Sequence, residues 1–232
     1  MEYDDWDPVY GAVIADFGFD RTGDERARDL LARVLDGETT LDHGSLGAAG
    51  RRVAIAGAGD TLEAETAVAR DADLVFAAST AADRLLAKGV AVDCIVTDLD
   101  KHPETVVERT HGGTPVAVHA HGDNIDLIER YVPECNPAWL IPTTQAAPVG
   151  PVHNPGGFTD GDRAAFLADH LGAQSLAFLG WDFDDDTVDP MKARKLDWAQ
   201  RLLYWLERRR EERFSVLDGR RGAIDTTALP VC

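Results

Sequence analysis

The feature that most constrains this chain is a regular alternation of short apolar runs with amphipathic stretches between residues 51 and 179. Runs at 51–56, 74–78, 93–97, 115–119, 139–142 and 175–179 have strand length and no polar alternation. Helical spacing fills 61–70, 81–88, 103–109, 125–131 and 162–171 between them. Strands without a polar face are buried on both sides, and strand–helix alternation builds parallel sheets. The expected fold is α/β: a mostly parallel sheet with helices on both faces. Outside that block, 24–35 reads as a helix, 191–213 as a long amphipathic helix, 214–217 as a last strand and the tail beyond as loose. Residues 148–158 read as a long loop, while 7–20 has no firm reading. Residues 1–50 are thus expected to be a helical appendage and 51–232 the α/β domain.

Composition narrows the function. Acidic residues number 41 against 23 basic, a net charge of −18. Nucleic-acid binding needs a positive surface, so that class is excluded. No apolar run reaches the roughly 18 residues of a membrane span. The N-terminus, MEYDDWDPVY, lacks a basic-then-apolar signal pattern, so a cytoplasmic location is expected. Cys94, Cys135 and Cys232 include no C-x-x-C pair, which argues against a disulfide framework or a zinc site. Only Lys88, Lys101, Lys192 and Lys195 are lysines. Low lysine with a large acidic excess fits adaptation to high internal salt, where screening relieves self-repulsion, and also fits a GC-rich genome.

In open α/β sheets ligands bind beyond the carboxyl ends of the strands. Four predicted strand ends carry glycine, histidine or aspartate: Gly57-Ala58-Gly59-Asp60, Asp98-Leu99-Asp100, His119-Ala120-His121-Gly122-Asp123-Asn124 and Gly180-Trp181-Asp182. In extended backbone Asp98 and Asp100 project to one side, and paired carboxylates favour a cation between them. Oxygen ligands suit Mg²⁺; a solvated acidic turn is the plain alternative. His119 and His121 have the same spacing and offer metal, phosphate or general-base chemistry, or simply two buried imidazoles. Thr159 or Asp160 caps a helix whose N-terminus is an anion site, with Arg163 as a further phosphate contact. Gly57 and Gly59 are candidates to cradle phosphate through backbone N–H groups. The third glycine of a dinucleotide fingerprint is missing, and no P-loop occurs. Lys192 and Lys195 open the long helix and are candidates for phosphate contact.

Taken in order, V-T-D-L-D (96–100), H-A-H-G-D-N (119–124), G-G-F-T-D-G-D-R-A (156–164) and L-G-W-D-F (179–183) resemble the archaeal 6-hydroxymethyl-7,8-dihydropterin diphosphokinases of the MptE type. I-A-D-F-G-F (14–19) and residues 192–196 are similar to that family too. The family in turn resembles the catalytic domain of thiamine pyrophosphokinases, whose G-D-F-D-S block looks like residues 97–101. The resemblance implies a Rossmann-like fold and transfer of a whole diphosphate from ATP, with Mg²⁺, to a pterin in folate or methanopterin biosynthesis, releasing AMP. It implies Asp98 and Asp100 as metal ligands; His119, His121 and Asp123 as catalytic groups; and Gly57, Gly59, Asn124, Thr159, Asp160, Arg163 and Lys192 around the nucleotide. Asp162 and Asp182 are candidates for the pterin edge. Two departures stand out: Ala78-Ser79-Thr80-Ala81 replaces the family's A-D-G-A, and Lys101 stands where glycine or serine is usual. The expected partners are ATP and a pterin, with a homo-oligomer left open. Thiamine diphosphate formation, a metal-dependent phosphoesterase and a non-catalytic nucleotide-binding module are the other readings.

Overall fold

A computed structural model describes residues 1–231, so Cys232 lies outside the described residues. Six strands, β1 (Arg52–Ala56), β2 (Leu74–Ala78), β3 (Cys94–Thr97), β4 (Val116–Ala120), β5 (Leu140–Thr144) and β6 (Ser175–Leu179), form one sheet. Its order is β5-β4-β3-β2-β1-β6, with every neighbouring pair parallel. The chain walks outward from β1 to β5, then crosses back to set β6 on the other side of β1.

The pleat divides each strand's apolar residues between two cores. Val53, Ile55, Phe76 and Val96 point to one face, Ala54, Ala56, Val75 and Ile95 to the other. The first face is covered by α1 (Tyr3–Phe17), α7 (Asp160–His170) and α8 (Pro190–Arg210). The second carries α2 (Arg21–Val34), α3 (Thr66–Arg70), α4 (Ala81–Ala87), α5 (Pro103–His111) and α6 (Ile125–Tyr131). No helix of residues 1–231 is long and apolar enough to cross a membrane.

The N-terminal residues are helical but share these cores. Trp6, Val9, Tyr10 and Val13 recur at helical spacing on α1, are fully buried, and join the core of β1–β3. Ala27, Leu30 and Leu31 of α2 join the opposite core. The first 50 residues therefore clasp both faces of the sheet rather than forming a separate appendage.

Three local expectations change. The helix expected over 61–70 is regular only from Thr66. The chain before it is held otherwise: Glu65 accepts from the Gly180 N–H at 2.7 Å, and Arg84 forks onto Glu63 while donating to the Ala58 and Gly59 carbonyls. Residues 214–217 form a 3-10 turn (Ser215–Leu217), not a strand, because the Phe214 N–H donates to buried Glu207 at 2.7 Å. The tail is anchored: Arg221 forks onto Glu207, and Ile224 and Leu229 are buried. Cys94 and Cys135 are buried free thiols.

Candidate active site

Asp98 and Asp100 converge through a turn, not through extended backbone. β3 ends at Thr97, whose Oγ1 accepts from the Leu99 N–H at 3.0 Å. Leu99 adopts φ +68°, in the left-handed region that a branched apolar residue rarely enters. Its side chain is fully buried, and that burial holds the turn. Asp98 Oδ1 then accepts from the Asp100 N–H at 3.2 Å.

α7 delivers a third carboxylate. Asp160, its first residue, lies so that ligating oxygens of Asp98, Asp100 and Asp160 are all within 4.8 Å of one another. Arg163, one turn along, donates to Asp160 at 2.9 Å and to Gln145 Oε1 at 3.2 Å, and stands 3.9 Å from Asp98. His121 Nε2 meets Asp98 Oδ2 at 3.1 Å. The Asp123 N–H donates to His121 Nδ1 at 3.4 Å, which favours the tautomer with its proton on Nε2, facing Asp98.

The three carboxyls differ in charge. Burial opposes ionisation of Asp98, but the His121 hydrogen bond and the Arg163 charge outweigh it and hold it well below the usual range. Burial and the neighbouring Asp98 raise Asp100. Burial, reinforced by Asp98, pushes Asp160 up to about 8 despite Arg163. A site with one firm anion and two reluctant ones gains most from a cation that lets all three ionise. Three oxygen donors at such mutual distances fit Mg²⁺.

Several predicted site residues prove to be supports. His119 is buried, with Nδ1 3.0 Å from Thr143 Oγ1 and its imidazole pushed well below the ordinary range by burial and Arg163. It underlies the site instead of lining it. Asn124 is also buried. Its amide donates to the Asp98 and His119 carbonyls at 2.7 Å, and its oxygen accepts from the His121 N–H, so it braces the loop and does not face a nucleotide. Asp162 accepts from the Phe158 and Thr159 N–H groups and the Thr159 hydroxyl, forming a capping box; those bonds occupy the carboxylate considered for the pterin. Thr159 is correspondingly the N-cap of α7.

The glycines at the β1 and β6 ends serve packing. The N–H groups of Gly57 and Gly59 donate to the Leu179 and Gly180 carbonyls at 2.9 and 2.8 Å, so they are not free to cradle phosphate. A Cβ on Gly57 would lie 2.6 Å from the Gly180 oxygen, and one on Gly180, at φ +68°, 2.4 Å from the Gly57 oxygen. Gly161 opens α7 to the Trp181 ring, which a Cβ would meet at 2.7 Å.

These tips surround a cavity of about 750 Å³. Asp98, Asp100, Asp160, His121 and Asp123 reach it, as do Gly57, Gly59, Thr159 and Asp182. Three of the four lysines, Lys101, Lys192 and Lys195, also line it, as do the rings of Phe19, Phe158 and Trp181. Lys101 stands 3.5 Å from Asp100, beside the carboxylates, while Lys192 and Lys195 come from the first two turns of α8.

Asp24 and Gln145 are site residues that no motif announced. Buried Asp24 accepts from Tyr10 Oη at 2.6 Å, Gln145 Nε2 at 2.7 Å and the Gly122 N–H at 2.7 Å. Gln145 continues to Arg163, linking the N-terminal helices to the carboxylates. The partners of Asp24 lie up to 121 positions away, beyond any local signal.

The model of the family described as 6-hydroxymethylpterin diphosphokinase MptE-like matches residues 37–187. A protein of Methanothermobacter thermautotrophicus is 39% identical over 225 residues, covering 90% of this chain and 96% of that protein. Proteins of Pyrococcus furiosus and Methanocaldococcus jannaschii are 33% and 31% identical, covering 89% and 92% of this chain and 95% and 99% of their own. All three are named 6-hydroxymethyl-7,8-dihydropterin pyrophosphokinase. With these matches spanning most of its length, and with the family's motifs gathered around one cavity, the chain belongs to the MptE-like 6-hydroxymethylpterin diphosphokinase family.

Proposed function

We propose that this enzyme, a pterin diphosphokinase, moves the terminal diphosphate of ATP to the hydroxymethyl oxygen of 6-hydroxymethyl-7,8-dihydropterin. The observation that carries the reading is the meeting of Asp98, Asp100 and Asp160 in a cavity walled by lysine. Those three carboxylates would hold Mg²⁺, which when bound supplies charge neutralisation at the phosphoryl oxygens. Lys101, Lys192 and Lys195 steady the triphosphate, and the side chains fix the attacking and leaving oxygens in line. The substrate oxygen bonds to the β-phosphorus, the bond from that phosphorus to the α–β bridging oxygen breaks, and AMP leaves with the electron pair. Asp123 is the acceptor for the hydroxyl proton, and His121, its Nε2 proton turned to Asp98, holds that carboxylate in place. Phe19, Phe158 and Trp181 offer apolar faces for flat rings, and Asp182 a carboxylate for the amide and amino edge of the pterin. The acidic, lysine-poor composition suits a cytoplasmic enzyme in concentrated salt.

The test is incubation with ATP, Mg²⁺ and either 6-hydroxymethyl-7,8-dihydropterin or thiamine, with products identified by mass. Pterin diphosphate and AMP are expected in equal amounts. Thiamine diphosphate, or ADP or free phosphate as the main product, overturns the reading.

A further inference from the structure

Three of the seven histidines meet outside the cavity. His43 opens a 3-10 turn (His43–Leu46), His153 lies in the strip beside β5, and His170 ends α7. The ring of His43 lies 4.5 Å from that of His153, at an interplanar angle of 65°, and 5.4 Å from that of His170. Asp160 is the first residue of α7 and His170 the last of its 11, so about 16 Å of helix separates this cluster from the carboxylates.

Two features point to a ligand. None of the three rings has a hydrogen-bond partner among the described residues, so their donor atoms are uncommitted. Asp42 lies close enough to His153 to act on it with charge that favours a cation, whereas Asp169, beside His170, is paired with Arg210 at 2.6 Å. The cluster is half-buried to exposed, so it is not filler of the apolar core.

We propose that His43, His153 and His170 form a second metal site, selective for borderline transition ions of the Zn²⁺, Ni²⁺ and Cu²⁺ class. Imidazole is the ligand type that suits these ions, whereas the carboxylate cluster suits Mg²⁺. Among the described residues only Asp98, Asp100 and Asp160 already have three ligating atoms within 4.8 Å. The histidine site therefore closes by a rotamer change, and exposed His170 supplies it by swinging onto the His43–His153 pair. A bound ion ties together segments 110 and 17 positions apart in sequence, so its role is a structural clip.

The experiment uses the full chain without a polyhistidine tag, in saturating Mg²⁺. Ni²⁺ is titrated by calorimetry, and melting is followed with and without Ni²⁺. We expect one Ni²⁺ per chain and a higher melting temperature with the ion. His43→Gln, His153→Gln and His170→Ala should each weaken binding at least about tenfold. His170→Ala, at an exposed position, should keep the metal-free melting temperature and the turnover with Mg²⁺ unchanged. The proposal is overturned if millimolar Ni²⁺ does not bind, if binding survives the three substitutions, or if Asp98→Asn removes it instead.

Discussion

The β3 and β4 ends and the β1 and β6 ends look alike as sequence, each rich in small and polar residues, yet they do opposite things. At β3 and β4, side chains project into the cavity: Asp98 and Asp100 meet Asp160 from α7, and His121 meets Asp98. At β1 and β6, backbones close on one another, and Gly57, Gly59 and Gly180 are there because a Cβ would strike a carbonyl. A glycine after a strand thus marks either a free N–H cradle or a close approach. Which one depends on the neighbouring strand. Here β6, the last strand in sequence, lies against β1, the first, and uses up the N–H groups.

The largest expected effect breaks the first half of that contrast. Asp98→Asn and Asp160→Asn should each lower turnover at least about a hundredfold, because each removes charge that holds the cation. Stability separates the two. Asp98 is depressed in the folded state, so its charge stabilises the fold above its ordinary pKa, a contribution lost as pH falls. Asp160 is raised to about 8, so ionising it costs stability as pH climbs from its ordinary value through about 8. In metal-free thermal melts at neutral pH, Asp98→Asn should therefore melt lower than the parent and Asp160→Asn higher. Shifts of one sign in both would show that the carboxylates are equivalent.

The second prediction tests the glycine half. Gly180→Ala places a methyl 2.4 Å from the Gly57 oxygen at a positive φ and should cost about 1–3 kcal/mol. Denaturant unfolding measures it, and an unchanged midpoint would mean the two tips are not packed as described. A third prediction sharpens the electrostatics. Mg²⁺ must displace the proton on Asp160, so its apparent affinity should rise up to about tenfold per pH unit and level off above about 8. Calorimetric titration of Mg²⁺ at several pH values checks it, and Asp160→Asn should flatten the slope.

The smallest expected effect concerns charges outside the site. A net charge of −18 works against the compact state. At ~1 M salt the screening length is ~3 Å, so the melting temperature should rise with KCl. Melts followed by circular dichroism decide it, and a flat or falling temperature would assign the composition to codon bias.

The layers of the fold were legible because a fully buried strand and an amphipathic helix have different periods. Even α1, unread in the sequence, carries a helical stripe at 6, 9, 10, 13 and 14, interrupted visually by Pro8 and Gly11. The carboxylate cluster was half legible. The D-x-D pair stands out, while Asp160 reads as a cap until α7 is laid across β1–β3. Asn124, His119 and Asp162 bear the marks of site residues yet act as braces, because polar groups buried beneath a site need partners as much as those in it.

Local chemistry by itself determined which segments are strands, which residues bring charge to their carboxyl ends, and that the family's motifs run the length of the chain. Those properties depend on residues a few positions apart. Tertiary structure alone decided that Gly57 and Gly59 face a neighbouring backbone, that Asp24 and Gln145 tie the N-terminal helices to Arg163, and that Asp160 shares a site with Asp98. Each depends on strand order, and strand order is set by how β6 crosses back to β1, a contact between residues more than a hundred positions apart.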